Sequence, residues 1–573
     1  MLNIKDHKTD YMFDPFEYLG PKRRKMLDDS WAGVFRDHVR HVLPVDLLAK
    51  HYCSDNGRPT NELGAMMGTM ILQHMHDLTD QEAAEQFAFN IQWHYALDVT
   101  SNSDSTTYVC PKSIWSTRSI MTEHNLYDSV FESIGDELGK VFDVDTSLQR
   151  IDSVHIFSNM RHLGRIGIFV ATIKKFLINL KRHHNQDFKA LAQELRDRYL
   201  RKQEESYFSM VKPSESAKTL QMVGDDLFFL VERFRTHGKI TAMTSYQLMI
   251  RVLKEQCIVE HDETTSEKRV AIKANKDVPS DSLQNPSDPD AGYDGHKGKG
   301  YQVQVAETYN PDKDEENPQL SLITHVEVEP AHASDANALL PYIEATQQRD
   351  MAPEKILADS LYGSDGNHEK AAGMGIELVA PTMGSRKDVS CTLADFGFSA
   401  KGTITVCPQG HQPVKVKKKK NRFSIAFATE TCTNCPLFQD CPVKAGKKDL
   451  SYIRYDEKVA RLAQRRAFEK TDAFKEDYRF RAGAEATMSE FDRRTGIKQL
   501  RVRGIKAVRF AATLKATALN ILRAGALRKC RNTGKSPYTT PFGNTIELIR
   551  IVKEQFIARL SNFSAPDGKF VVA

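Results

Sequence analysis

The sequence predicts a mixed α/β fold (an α+β mixed sheet) flanked by helices, with a helical unit before it and a helical insertion within it. Three observations carry this. Leu148–Ser158, Tyr301–Tyr309 and Leu320–Val328 are rich in β formers and partly alternate, so they read as strands, the last two as a hairpin across a polar Asn-Pro-Asp-Lys-Asp turn. Ile356–Ala358 and Ile376–Ala380 are shorter apolar runs that alternate with helix-patterned segments. Elsewhere apolar residues recur at helix spacing, as in Leu63, Met66, Met67, Met70 and Ile71. Strands that first meander and then alternate with helices give the order β-β-β-α-β-α-β, which implies a mixed sheet.

Length and composition bound the rest. At about 150 residues per domain, 573 residues make three or four units. The composition, 40% hydrophobic and 27% charged, is that of a soluble globular protein. No run of about 18 apolar residues occurs and Met1–Asp6 carries no signal-peptide pattern, so the expectation is a cytoplasmic protein with no membrane contact. The net charge of +5 hides an asymmetry: Arg493 to Ile546 holds 13 Lys or Arg and no acid, which leaves the rest of the chain at −8. That stretch reads either as a polyanion-binding region, nucleic acid above all, or as a solvated basic face.

In chain order, residues 1–140 form the N-terminal helical unit. A basic knot at Lys22–Lys25 reads as a surface arm, and Thr79 with Glu82 is a capping box opening a second helix. Two more helices follow near Ile114–Met121 and Phe131–Leu138; the bundle is a DNA-binding module or simply packed core. Residues 141–165 hold the first core strand, with Asp152 in its middle. A charge inside a strand is costly unless it is paired, bound to metal or on a wet face. Residues 166–260 return to helical patterning, and 260–300 read as a long polar loop. Residues 261–385 complete the core. There the run Ile356–Ala358 ends at Asp359, where an acid holds a metal ion or serves as a cap or turn residue. The strand order fits a ribonuclease-H-like sheet, in which Asp152 and Asp359 lie on neighbouring strands.

Residues 386–455 shift to short β-like pieces. Nine cysteines in so long a chain make no disulfide framework, but Cys407, Cys432, Cys435 and Cys441 cluster around a Lys-rich hairpin. Four thiolates close a tetrahedral structural Zn²⁺ site, with His411 an alternative ligand. Residues 456–530 follow, of which 456–493 are expected to be one long polar helix. Tyr478, Arg481, Glu485, Ser489 and Asp492 share one face of it, and Phe480, Ala484, Thr487, Met488 and Phe491 share a neighbouring apolar one. On its own, Arg481 with Glu485 is equally a surface ion pair worth about 0.2–0.5 kcal/mol. Lys506–Leu527 is apolar enough to be buried against the sheet, and 531–573 form a C-terminal tail.

Taken together, these blocks resemble the DDE transposases of bacterial insertion sequences, in the branch whose last acid lies in a Tyr-x2-Arg-x3-Glu-x6-Lys helix. Here that pattern is Tyr478, Arg481, Glu485 and Asp492, a departure at the last position. The resemblance implies that Asp152, Asp359 and Glu485 form a catalytic triad holding two Mg²⁺ (or Mn²⁺) ions. It implies double-stranded DNA, transposon ends and target, as partner and substrate, with strand cleavage followed by strand transfer. It further implies phosphate contacts from Tyr478 and Arg481, DNA contacts near Arg501, Arg503 and Lys506, and a homo-oligomer on DNA at the nucleoid. The alternative is a zinc-containing DNA-binding protein, a decayed transposase or regulator, without catalysis.

Overall fold

The computed structural model describes residues 2–533 apart from 8, 10, 11, 102, 201–207, 209–211, 262–267, 312–317, 385–389 and 447–448. Beyond Thr533, the predicted tail lies outside the described residues, as does the turn of the core hairpin. The centre is a six-stranded mixed sheet. It comprises β1 (Leu148–Phe157), β2 (Gly292–Asp294), β3 (Gly298–Thr308), β4 (Ile323–Pro330), β5 (Lys355–Leu357) and β6 (Glu377–Val379). β3 lies antiparallel between β1 and the hairpin partner β4, whereas β1, β5 and β6 run parallel. The five strands that the sequence implies follow in the implied order, and β2 is an addition to them.

The parallel pair sets the site. Arg150 of β1 stands opposite Leu357 of β5, the last pair of that ladder. Asp359 follows two residues after the end of that ladder, as Asp152 does along β1, and the two carboxylates are near enough to repel one another. Antiparallel to β1, Glu307 of β3 stands opposite Arg150 and Val305 opposite Asp152.

Helices cover both faces. The N-terminal unit includes α1 (Leu63–Met75), α2 (Asp80–Phe89), α3 (Pro111–Glu123) and α4 (Leu126–Val141). The predicted capping box opens α2: Glu82 N donates to Thr79 Oγ1 at 3.2 Å and Thr79 N to Glu82 Oε2 at 2.7 Å. Lys22–Lys25 belong to a helix, Gly20–Asp28, rather than an arm; Arg24 pairs there with Asp14 and Asp28. The insertion runs through α5 (Arg165–His183), α6 (Ser216–Phe234) and α7 (Thr244–Gln256), which bury Phe169, Phe176, Leu227 and Met249 in a core of their own. The polar stretch expected to be a loop is partly strand: Lys268–Ile272 pairs with Cys257–His261, and β2 lies further on. Its short alternations were hidden among turn residues.

α8 (Leu339–Gln347) and α9 (Asp365–Gly373) connect the last three strands of the sheet. The polar segment 456–493 is not one helix. It forms α10 (Glu457–Phe468), α11 (Asp472–Tyr478), a 3₁₀ turn at Arg479–Arg481 and α12 (Ala482–Thr495). Thr471 makes the break, since its hydroxyl accepts from Phe474 N at 3.3 Å and starts a new helix. α13 (Ile505–Thr533) is apolar all round because it is buried on two sides. Val508, Ala512 and Leu519 pack on the sheet, while Phe510, Leu514 and Ile521 pack with the N-terminal helices.

Candidate active site

Each predicted acid reaches the site from a different element. Asp152 is buried in β1; its Oδ1 accepts from Ser153 N at 2.8 Å and its Oδ2 from Arg481 Nη2 at 2.9 Å. Asp359 follows β5 and is half-buried, its Oδ1 accepting from Leu361 N at 2.8 Å in a local turn. It does not cap the next helix: Ser364 does, accepting from Asn367 N at 3.2 Å. Glu485 stands in the first turn of α12, largely exposed, with Oε1 2.9 Å from Arg481 Nη1. Arg481 therefore links Asp152 to Glu485. Because the terminal nitrogens of a guanidinium are about 2.3 Å apart, the two linked oxygens lie no more than about 8 Å apart.

The electrostatics are those of crowded acids. Burial raises the Asp152 carboxyl above its usual range; Arg481 opposes this, while Asp359 and Asp335 add to it. Asp335, which sequence reasoning missed, is also raised by burial. It accepts from Gln304 Nε2 at 2.7 Å and feels Asp359. Hard divalent cations take such oxygen donors, and a cation among these acids would relieve their repulsion, so the donor set fits. The acids do not yet close on a single point: among the described residues, their oxygens are not all within 4.8 Å of one another. Glu485 is the most exposed of these acids and is held by Arg481.

Beneath the acids lies a buried ion network that sequence patterning did not reveal. Glu307 is 2% exposed and accepts from Arg150 Nε at 2.7 Å, Arg523 Nη1 at 2.8 Å and Thr487 Oγ1 at 2.7 Å. Burial alone would raise its carboxyl, but Arg523 and Arg150 together hold it low. Arg150 also donates to the Phe480 carbonyl at 2.8 Å and lies across Gly483, where any Cβ would overlap its guanidinium. The network thereby holds the start of α12, and with it Arg481 and Glu485, against β1.

Of the remaining predicted contacts, Tyr478 is half-buried and stacks on Phe474 at 5.2 Å. Arg501, Arg503 and Lys506 are exposed together after α12. The acid-free basic stretch is less available than its composition suggests. Arg494, Lys498, Arg501, Arg509, Lys515, Arg523 and Arg528 all pair with acids, several from the distant N-terminal unit. Asp492, at the position where the motif has Lys, pairs with Lys498 at 3.7 Å.

The cysteines gather as predicted, with one addition. Cys407, Cys432, Cys435 and Cys441 line one apolar cavity with His411 and also with Cys391. Cys407 and Gly410 form a knuckle-like turn, Gly410 N donating to the Cys407 carbonyl at 2.9 Å with Gly410 at φ 84°. Burial pushes the Cys391 thiol up to about 12, with Cys441 adding to it, and burial raises Cys432 as well. Sulfurs on a zinc ion stand about 3.8 Å apart, a spacing the four predicted thiols do not all reach here.

Comparisons with protein families decide the wider identity. Residues 406–524 match the model described as Transposase DDE domain, and residues 25–119 the one described as Transposase domain (DUF772). Both matches support a DDE transposase of an insertion sequence. A comparison with curated proteins finds no match. In this transposase the DDE match contains Cys407, Cys432, Cys435, Cys441, Tyr478, Arg481 and Glu485, while Asp152, Asp359 and Cys391 precede it. Among the described residues, no helix of the transposase is long and apolar enough to cross a membrane.

Proposed function

We propose that this transposase cleaves DNA at the ends of its element and joins the freed ends to target DNA, using Asp152, Asp359 and Glu485 as ligands for two Mg²⁺ or Mn²⁺ ions. The observation that carries the reading is the register of β1 against β5 together with the Arg481 bridge from Asp152 to Glu485. Bound at these acids, two divalent ions supply activation of the attacking oxygen and stabilisation of the leaving one during in-line displacement at phosphorus. The chain's own residues do the rest. The parallel strands fix Asp152 and Asp359, and the Arg150–Glu307–Arg523 network fixes α12. Arg481, whose two Nη groups now hold Glu485 and Asp152, would turn the same guanidinium edge to a phosphate oxygen. Tyr478 lies beside it to meet the same strand. Arg501, Arg503 and Lys506 extend a phosphate-contacting surface beyond α12. Cys407, Cys432, Cys435 and Cys441 hold a structural Zn²⁺, with Cys391 beside them.

The test is strand nicking of labelled DNA bearing the inverted repeats that border the reading frame, with Mg²⁺. Asp152→Ala and Asp359→Ala each abolish nicking while DNA binding persists. If both variants still nick, the assignment fails and the catalytic site lies elsewhere. If the parent binds the repeats but never nicks, the chain is a non-catalytic DNA-binding protein.

A further inference from the structure

A second donor cluster lies in the helical insertion, away from the acids and the cysteines. His184 follows the C-terminal end of α5, Asp187 lies in the short helix Asn185–Lys189, and His237 caps the helix Gly238–Thr241 just after α6. Asp187 Oδ2 is 4.0 Å from His184 Nδ1 and 3.9 Å from His237 Nε2, and the two rings meet edge to face with centroids 5.6 Å apart. Among the described residues, this is the one group of three or more His, Cys, Asp or Glu whose donor atoms lie mutually within 4.8 Å. We propose that His184, Asp187 and His237 form a transition-metal site of the Zn²⁺ or Ni²⁺ class that clamps the α5 corner of the insertion to its α6 corner.

Two imidazoles and a carboxylate suit such borderline cations better than Mg²⁺. Donors on a tetrahedral ion stand about 3.3 Å apart, so side-chain movements of under about 1 Å per residue close the site. For His237 to ligate through Nε2 its ring proton sits on Nδ1, which costs little. Its Nδ1 takes only the weaker branch of the Ile240 N–H bond, at 3.3 Å, while that N–H also donates to the His237 carbonyl at 2.9 Å. Both α5 and α6 end beside the cluster, and the partial negative charge of helix C-termini favours a cation there. The nearby Lys181, Arg182, Arg233 and Arg235 oppose it, but all four are exposed and screened by solvent. With the three side chains 19–40% exposed, a fourth coordination position is open to water.

Calorimetric titration of chelator-stripped full-length protein with Ni²⁺ tests this, run in parent and Cys432→Ser backgrounds. One site should persist in Cys432→Ser and lose about 100-fold or more in affinity in His184→Ala or His237→Ala. Electron paramagnetic resonance of the parent chain with one equivalent of Cu²⁺ needs no variant and should show two coupled imidazole nitrogens. Absence of such nitrogens, or Ni²⁺ binding unchanged in both histidine variants, overturns the proposal.

Discussion

Gly483→Ala should weaken the transposase, although replacing a helical glycine with alanine ordinarily strengthens a helix by up to about 1 kcal/mol. The reason is the Arg150 guanidinium lying across Gly483. A methyl group there displaces Arg150 from the Phe480 carbonyl, a bond with a charged donor worth about 1.5–3 kcal/mol. It also loosens Arg150 from the buried Glu307, where breaking a pair outright costs about 3–5 kcal/mol. Arg523 and Thr487 remain on Glu307, so only part of that second cost applies. The net expectation is a loss of about 2–4 kcal/mol, read as a lower urea midpoint by circular dichroism. A double-mutant cycle isolates the cause: in an Arg150→Ala background, Gly483→Ala becomes neutral or stabilising by up to about 1 kcal/mol. A stabilised Gly483→Ala protein in the parent background would refute the proposed role of Arg150 against α12.

Other outcomes follow from the same structure. Arg461 and Arg465 hold the Asp365 carboxyl down at about 2, joining α9 to α10, so its stabilisation is full above the unfolded value near 4 and is lost as pH falls towards 2. Asp365→Asn should therefore cost about 1–2 kcal/mol at pH 7 in denaturant unfolding, with the difference shrinking below pH 4; a pH-independent difference would mean the pair contributes no charge term. Arg503→Ala and Lys506→Ala should each flatten the salt dependence of DNA binding by about one unit of slope. Arg501→Ala should do less, since Arg501 already pairs with Asp77 and Glu82; equal slopes in parent and variants would take this surface out of the interface. Elemental analysis should find zinc bound at the cysteines and lost in Cys432→Ser, and a zinc-free folded parent would remove that site.

What the sequence made legible was short-range pattern and strand order. Leu148–Ser158 and Ile356–Asp359 announce themselves by β formers and turn residues, and their pairing follows from the order of elements around them. That is why Asp152 and Asp359 could be placed together from 207 residues apart. The break before α11 depends on one hydroxyl at Thr471, a capping signal set inside a continuous polar pattern. Cys391 was invisible because nothing local ties it to Cys407; only the fold brings its sulfur to Cys441. The partial neutralisation of the basic stretch was hidden for the same reason, since Asp37, Asp77 and Glu82, which pair with its cations, lie over 400 residues away. Glu307 reads as one polar residue in an alternating strand until Arg150 and Arg523 close on it.

The shared-ion claim is tested most directly by electron paramagnetic resonance of Mn²⁺ bound to the transposase with end DNA. Two manganese ions about 4 Å apart should give a spin-coupled signal, lost in Asp152→Asn, Asp359→Asn and Glu485→Gln alike. A signal from isolated ions only, or a coupled one that survives Glu485→Gln, would contradict the account.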